Sequence, residues 1–406
     1  MLLLALGNPA PVIAEDDSSA EAQAETTASE AENLTKRCTI TSDLRSSYLV
    51  SRLTDEDTQT NQGIKAGQKL NISWTDGIPV RTVWIAFYKT PGPYRICQYD
   101  ADGALLKEEA ETNVFVNRAV FVEEATRTVT LIPETTVQIS SLYAYGEGAV
   151  PNYHPWEPTP EKLDYLIVAM HPDDDVLFMG ALVPMYSVEQ GRVGTIFYTA
   201  SDWRVRKDEA QNGAWMMGLR VYPIFGTFQD IPPRLREQGA GRFRKADVAK
   251  YLVGVLRRYR PEVVFSHDLN GEYGHWQHKE LAAAIRMAVP LAADPTYDPA
   301  TVEQYGVWEV KKLYLHLYEE NPIHLPVTEP LASMDGQTPV QIAEQAFQCH
   351  QSQLPSRHAV RNEGIYSMSD FGLAYTTVGL DTAGLNDPFE HIDKASLHTK
   401  ATPTPA

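Results

Sequence analysis

The 406-residue chain has few cysteines, a shortage of basic residues and no long apolar run beyond its first residues, and each shortage excludes a class of protein. Its three cysteines, Cys38, Cys97 and Cys349, form no C-x-x-C pair, so a cysteine-ligated zinc site is not expected. Acidic residues outnumber basic ones by 53 to 35, which disfavours a nucleic-acid partner because phosphates are bound by Lys and Arg. No internal stretch approaches the ~20 apolar residues that cross a bilayer, so no transmembrane segment is expected. Nothing in the sequence indicates a protein partner.

Both ends of the chain have compositions that predict segments outside the folded domains. Residues 1–14 are apolar and end in small side chains, which is typical of a secretory signal peptide and predicts a secreted or extracytoplasmic protein. A short lipid-facing anchor is the alternative. Residues 15–37 are rich in Ala, Glu, Ser and Thr and predict an acidic, disordered linker. Residues 393–406 are polar, end in Thr-Pro-Thr-Pro-Ala and predict a disordered tail.

Residues 38–150 carry short runs of strand-forming residues, for example 81–88 and 114–116, separated by Asp-Gly and Pro-Gly turn signals. Regular short strands of this kind predict an all-β sandwich. The region resembles discoidin-like, galactose-binding jelly rolls, so it can be either a carbohydrate-binding module or a packing domain without a ligand. Its two cysteines, Cys38 and Cys97, either form a disulfide or remain buried thiols.

The remainder, residues 160–392, alternates between strand-like and helix-like segments. Such alternation predicts an α/β domain with a Rossmann-like, mostly parallel sheet flanked by helices, in which ligands bind beyond the carboxyl ends of the strands. The predicted strands are 163–170, 193–199, 222–228, 262–267 and 310–317, and the predicted helices are 176–190, 206–219, 246–259, 275–289 and 340–353.

The first segment that suggests chemistry is His171-Pro-Asp-Asp-Asp175, directly after the predicted strand 163–170. Carboxylates this crowded repel one another unless a cation neutralises them, and His171 and Asp174 can both turn toward one ion. The alternative is that one aspartate caps the following helix and the others are solvated. That alternative accounts for one Asp but not for the whole cluster beside a histidine.

The second segment is Tyr273-Gly-His-Trp-Gln-His278, shortly after the predicted strand 262–267. His275 and His278 are three residues apart at a helix start and share a face of the helix. An H-x-x-H pair alone is a weak signal. Together with the first segment, at a neighbouring strand end, it indicates a metal centre. Two histidines and one aspartate would leave a position open for water, as in catalytic zinc sites.

The two segments, HPDD followed by YGHxxH, resemble the motifs of the PIG-L/LmbE-like de-N-acetylase family. That family includes enzymes that deacetylate N-acetylglucosaminyl-phosphatidylinositol, N-acetylglucosaminyl-inositol or -malate, and chitin disaccharide. The resemblance covers residues 163–392, including the segments 344–353 and 371–390. It implies a hydrolase that removes an N-acetyl group with the help of Zn²⁺, or alternatively Fe²⁺.

The resemblance also implies a role for individual residues. Asp173 would be the general base that takes a proton from the attacking water, and His275 would stabilise developing charge and protonate the leaving amine. Tyr273 would hydrogen-bond the oxyanion, and Arg206 would bind substrate. The implied metal ligands are His171, Asp174 and His278.

The chain departs from the family pattern at two positions. Asp175 stands where the family usually has Glu, which shortens the carboxylate by one methylene and can shift a supporting hydrogen bond. Gln277 stands where many members have Asp. We expect Gln277 to orient His275 without stabilising its charged form, so the pKa of His275 should be lower than in those members.

Four further residues carry open interpretations. Trp203 and Trp276 can stack on a sugar ring near the site, although Trp276 is equally compatible with core packing. His267 and Asp268 either support the metal ligands or have a structural role.

The sequence therefore predicts a secreted metal-dependent deacetylase that acts on an N-acetylglucosamine-type sugar in a glycan, a glycolipid or a small glycoside. One alternative is a glycan-binding protein whose deacetylase-like domain has lost activity. The other is a deacylase that acts on a non-sugar amide.

Overall fold

A computed structural model of the chain describes residues 29–43, 50–112, 115–354 and 358–399. The predicted signal peptide, most of the predicted linker and the end of the predicted tail lie outside the described residues. The described part is a mixed α/β structure with three sheets, in agreement with the predicted fold class.

The N-terminal region folds as two antiparallel sheets that share one apolar core. Side chains of both sheets form this core, for example Ile72 and Leu131 from one and Val83 and Ile139 from the other, so the sheets pack face to face as a sandwich. The five-stranded sheet has the order β1-β3-β8-β5-β6 and the four-stranded sheet the order β2-β9-β4-β7. The strands are β1 Thr39–Ser42, β2 Gln62–Ile64, β3 Leu70–Ser73, β4 Thr82–Phe87, β5 Tyr94–Tyr99, β6 Leu105–Glu111, β7 Asn117–Phe121, β8 Thr128–Pro133 and β9 Val137–Tyr145.

Three sequence expectations for this region are corrected. Of the predicted strand 114–116, residue 114 lies outside the described residues, and strand β7 starts at Asn117; the Val116 amide donates a hydrogen bond to the Tyr222 hydroxyl (2.8 Å). Residues 29–37, predicted to be disordered, pack on the sandwich: Leu34 is buried and its amide donates to Ala144 O (2.8 Å). Cys38 and Cys97 are free thiols, so the disulfide alternative does not apply.

The C-terminal region is built on a seven-stranded sheet of order β12-β11-β10-β13-β14-β16-β15. The first five strands run parallel, and β16 is antiparallel to both of its neighbours. The strands are β10 Leu163–Ala169, β11 Gly194–Ala200, β12 Ile224–Phe228, β13 Pro261–Ser266, β14 Lys312–His316, β15 Pro322–His324 and β16 Asp370–Thr376.

Helices cover both faces of this sheet. Tyr165 and Ile167 of β10 point into one apolar cluster, whereas Leu166 and Val168 point into the other, so the strand is buried on both faces. The helices are α1 Asp174–Met179, α2 Arg204–Met216, α3 Arg236–Gly239, α4 Lys245–Tyr259, α5 Trp276–Ala292, α6 Pro299–Tyr305 and α7 Pro339–Phe347. None of the helices in the described part of the chain has the length and hydropathy of a membrane span.

The helix predicted over 176–190 is divided in the structure. Helix α1 ends at Met179, with Gly180 as its C-cap, and a separate π-helical segment follows at Val183–Glu189, with Pro184 in its first turn. A Cβ at Gly180 would lie 2.7 Å from the Ala343 Cβ, so the glycine permits the close approach of α7. The break thus follows from helix packing as well as from the proline.

The start of the predicted disordered tail is ordered. Residues Lys394–Ser396 form a 3-10 turn, Leu397 is buried, and the His398 amide donates to the carboxylate of Asp164 (3.0 Å). Asp164 is a fully buried residue of β10. A buried carboxylate needs a hydrogen-bond donor, and the tail supplies one, which composition alone does not show.

Helix α2 joins the sandwich to the α/β region. Arg204, which is almost fully buried, pairs with Asp208 (2.7 Å), and Asp208 accepts a hydrogen bond from the side-chain Nδ2 of Asn117 in β7 (2.7 Å). Lys207 donates to the Tyr88 carbonyl at the end of β4 (2.8 Å). Two strands of the sandwich thus bind one face of this helix.

Candidate active site

The strand order indicates where a ligand can bind. Strands β11 and β12 lie on one side of β10, and β13 and β14 lie on the other. Successive strands of the chain are therefore added on opposite sides of the β10–β13 pair. Ligands of such sheets bind at this point, beyond the carboxyl ends of the strands. The HPDDD segment follows β10, and the YGHWQH segment follows β13.

The three predicted metal ligands come together at this point. Asp174 Oδ2 lies 3.1 Å from His171 Nδ1 and 3.2 Å from His278 Nε2, and the two ring nitrogens are 3.2 Å apart. Ligand atoms around a tetrahedral zinc ion, each about 2.0–2.1 Å from it, are about 3.3 Å apart. All three residues are buried, and the nearly equilateral triangle of their atoms fits one divalent ion.

The electrostatics of the triangle also favour a cation. Burial raises the pKa of Asp174, but His278 and His171 together hold it well below its ordinary value. Burial alone would lower the pKa of His278, but Asp174 and Glu272 raise it to about 10. The carboxylates thus attract positive charge to the position between the ligands.

His267 also lies close to this cluster, but its ring nitrogens are both engaged. Its Nε2 accepts a hydrogen bond from the Met170 amide (2.9 Å), so Nδ1 carries the hydrogen and faces Glu272 Oε1 (3.0 Å). The His267 Nε2 lies 3.6 Å from Asp174 Oδ2. The sequence left open support of the metal ligands or a structural role for His267, and the geometry favours support of the ligands.

Asp173 stands beside the ligands in a strained backbone conformation. Its φ of 151° lies in a region that residues with a side chain rarely adopt, and such strain is common at functional sites. Arg206 Nη2 donates to Asp173 Oδ1 (2.6 Å) and to Pro172 O (2.8 Å). Burial raises the pKa of Asp173 to about 6, although the positive charge of Arg206 lowers it.

The guanidinium of Arg206 is already paired with residues of the site, unlike that of an arginine whose donors are free to bind substrate. It is buried, and besides Asp173 it pairs with Asp230 through Nη1 (2.9 Å). Its donors are thus used to hold two carboxylates of the site. The geometry favours an action through Asp173, and the substrate-binding role stays a prediction.

Asp175 turns away from the other two aspartates of its segment. Tyr198 donates a hydrogen bond to its Oδ2 (2.9 Å), and its Oδ1 has no partner among the described residues. Burial raises the pKa of Asp175 to about 8. The residue is therefore mainly protonated at neutral pH and adds no third negative charge to the cluster.

Tyr273 and His275 lie beside the ligand triangle. The His275 ring centroid is 4.6 Å from that of His278 and 4.9 Å from that of His171. Burial and the neighbouring histidines lower the pKa of His275 to about 2, and its Nδ1 has no partner among the described residues. The Tyr273 ring lies 5.8 Å from that of His275, and 42% of the residue is exposed, so a ligand can reach it.

The expectation for Gln277 is wrong. Gln277 does not contact His275: its Oε1 accepts from the Ile231 amide (2.9 Å) and lies 3.4 Å from His171 Nε2. His275 is the extended residue directly before α5, whereas Gln277 lies in the first turn of the helix, so their side chains leave the backbone in different directions. Gln277 instead helps to keep the hydrogen of His171 on Nε2, so that Nδ1 faces the metal position.

The structure adds site residues that sequence reasoning missed and separates the two tryptophans. Asp230 Oδ1 lies 3.5 Å from His171 Nε2, and its place two residues after β12, at the same sheet edge, was an available signal. Glu272 Oε2 lies 2.7 Å from His278 Nδ1. Glu272 directly precedes the second segment, but no sequence pattern marked it as a site residue. Trp276 is buried and its indole donates to Ile231 O (3.1 Å), so it belongs to the core, whereas Trp203 is 55% exposed.

Comparison with known proteins identifies the domain that contains this site. A sequence model of the family described as PIG-L, GlcNAc-PI de-N-acetylase, matches residues 166–289, which include both segments. This chain carries a PIG-L domain. The resemblance drawn from the two segments is thereby confirmed.

Curated relatives of the PIG-L domain have names that describe sugar deacetylation. The 1D-myo-inositol 2-acetamido-2-deoxy-α-D-glucopyranoside deacetylase 1 of Catenulispora acidiphila is 29% identical over 199 residues, which are 42% of this chain and 59% of the relative. The corresponding deacetylase 2 of Saccharopolyspora erythraea is 31% identical over 176 residues, 37% of this chain and 63% of the relative. The chain thus spans less than two thirds of either relative.

Among solved structures, the N,N'-diacetylchitobiose deacetylase of Pyrococcus horikoshii matches 48% of this chain and 72% of its own. The sequence identity is 19% and the TM-score is 0.37.

Proposed function

We propose that the protein is a metal-dependent hydrolase that removes the N-acetyl group from an N-acetylglucosamine-type sugar and releases acetate. The observation that carries the proposal is the triangle of His171 Nδ1, Asp174 Oδ2 and His278 Nε2 with Asp173 beside it. The relatives of the PIG-L domain, which are named as deacetylases of N-acetylglucosamine compounds, support the choice of bond.

The donor set fits Zn²⁺, with Fe²⁺ as the alternative. Two imidazoles and one carboxylate leave a fourth tetrahedral position open. A divalent ion held there would polarise the acetyl carbonyl and make water acidic enough to react near neutral pH.

Asp173 is the residue suited to move the proton. With a pKa of about 6 it is mainly ionised at neutral pH, and it can accept the proton of the attacking water. The water oxygen adds to the carbonyl carbon, the C–N bond breaks, and the departing nitrogen needs a proton. Asp173, having gained that proton, can deliver it, and Arg206 keeps the carboxylate in place throughout.

His275 and Tyr273 would stabilise the charge that develops on the carbonyl oxygen. Because the pKa of His275 is about 2, the ring is neutral at ordinary pH and acts as a hydrogen-bond donor rather than as the acid that protonates the amine. The Tyr273 hydroxyl, whose pKa burial and Asp174 raise, also stays protonated and can donate to the same oxygen. One such donor is typically worth about 3 kcal/mol in the transition state.

The test is acetate release from a panel of N-acetylhexosamine glycosides, including the inositol glycoside and chitobiose. We expect the metal-loaded protein to be active, Asp173→Asn to lose about 10²–10⁴-fold in kcat, and His278→Ala to lose metal and activity. Asp247→Asn, the same change at an exposed position of α4, should leave the rate unchanged. If the loaded protein binds glycans of the panel but releases no acetate, the glycan-binding alternative is supported instead.

We also propose that the protein acts outside the cytoplasm, since residues 1–14 have the composition of a signal peptide. Mass spectrometry of the protein recovered from its own host should show an N-terminus beyond residue 14. Recovery of the full N-terminus from the cytoplasmic fraction would refute this part.

A further inference from the structure

Glu272 is the centre of a buried polar cluster behind the metal ligands. Its Oε2 lies 2.7 Å from His278 Nδ1, and its Oε1 lies 3.0 Å from His267 Nδ1 and 3.2 Å from His316 Nδ1. The Asp268 amide also donates to Oε1 (2.9 Å). The side chains of Glu272 and of all three histidines are fully buried.

The backbone turns sharply to bring this carboxylate inward. Glu272 has a φ of 50°, in the left-handed region that residues other than glycine rarely enter, between Gly271 at 70° and Gly274 at 87°. This conformation is strained for a residue with a side chain, and it persists where the surroundings fix it. Here the surroundings are the four contacts of the carboxylate.

Two of the histidines tie Glu272 to the strand ends. His267, directly after β13, accepts at Nε2 from the Met170 amide, directly after β10 (2.9 Å). His316, the last residue of β14, donates from Nε2 to Ser367 O (2.6 Å). Each ring is held at both nitrogens, so the position of Glu272 is defined by three neighbouring strands.

Burying a carboxylate lowers the stability of the folded protein, so a carboxylate at this position needs a reason other than packing. A buried ionic group can often be replaced by apolar residues without loss of stability. An apolar side chain of the same size could not make the contacts that this carboxylate makes with His278 Nδ1 and His267 Nδ1 (2.7 and 3.0 Å).

We propose that Glu272 is a positioning residue of the metal centre, which holds His278 with Nε2 facing Asp174 and His171 and thereby raises the affinity for a divalent cation. A carboxylate that accepts the second N–H of a metal-binding histidine fixes its tautomer and increases its basicity, and loss of such a partner typically weakens metal affinity 10–100-fold. The assignment rests on the metal site of the proposed function but not on the identity of the substrate.

The test is the dissociation constant for Zn²⁺, measured by competition with a chromophoric chelator on the full chain. We expect Glu272→Gln, which keeps the size but not the charge, to weaken Zn²⁺ binding about 10–100-fold. Glu272→Asp keeps the charge but is too short to span His278 and Asp268, so we expect an intermediate loss. Glu280→Gln, the same change two residues after His278 on α5, is the matched control and should bind like the parent.

Equal Zn²⁺ affinity of parent and folded Glu272→Gln would overturn the assignment. Circular dichroism establishes folding, and if Glu272→Gln does not fold, Glu272→Asp decides by the same criterion. A merely structural role would change the unfolding midpoint without changing Zn²⁺ affinity in the folded protein. Because the readout is metal binding, a protein that releases no acetate from any sugar would refute the proposed function and leave the Glu272 assignment intact.

Discussion

His350 gives the sharpest prediction about stability. The residue is fully buried after α7, and neither ring nitrogen has a hydrogen-bond partner among the described residues. Burial, and to a smaller extent Arg206, lowers its pKa from 6.5 to about 3. Between these two values the unfolded chain binds a proton that the folded protein does not, so stability is lost as pH falls below 6.5.

The size of the effect follows from the two pKa values. At pH 7.5 both states are neutral at this position and His350 contributes almost nothing to the pH dependence. At pH 5 the unfolded state is favoured by about 2 kcal/mol, since one pKa unit corresponds to about 1.4 kcal/mol. His350→Leu removes the titrating group at similar volume. The unfolding free energy of this variant minus that of the parent should therefore be about 2 kcal/mol larger at pH 5 than at pH 7.5.

Urea unfolding of both proteins at the two pH values, followed by circular dichroism, measures this difference. If the parent and His350→Leu lose the same stability between pH 7.5 and pH 5, the reasoning from burial is refuted.

Two further predictions concern buried charges. Arg206→Met removes the cation beside Asp173, so the pKa of Asp173 should rise from about 6 and the acidic limb of kcat/KM should move to higher pH; an unshifted limb would contradict this. Asp381→Asn leaves the fully buried ammonium of Lys312 without its counter-charge and should cost about 3–5 kcal/mol of unfolding free energy. Adding Lys312→Met should recover part of that loss in the same urea titration, and no recovery would argue against the ion pair as the cause.

The ligands of the site were predictable because the fold rule and the chemistry agree. The segment containing His171 and Asp174 follows one apolar strand, the segment containing His278 follows another, and parallel strands bring their carboxyl ends to one edge. The ligand atoms and Glu272 were not predictable, since Glu272 reaches the histidines only through tertiary packing, whereas Asp230 could have been found from its place two residues after β12.

The errors were of two kinds: a residue was paired with its neighbour in sequence, and two segments were judged from their composition alone. Gln277 was assigned to His275, two positions away, but their side chains leave the backbone in different directions. The segments 29–37 and 393–399 were assigned to disorder from composition. In the first segment Ala31, Leu34 and Thr35 are buried, in the second Leu397 is buried, and both segments form hydrogen bonds to the rest of the fold.

The contact between the sandwich and α2 limits how the two regions can be exchanged. Arg204 and Lys207 are nearly fully buried, and their partners include Asn117 and the Tyr88 carbonyl of the sandwich. A different module grafted in place of the sandwich would remove the Asn117 side chain from Arg204, which keeps Asp208, and the Tyr88 carbonyl from Lys207, on a helix turn that also carries Arg206. Engineered chimeras of this domain therefore need α2 and its sandwich strands to be transferred as one unit.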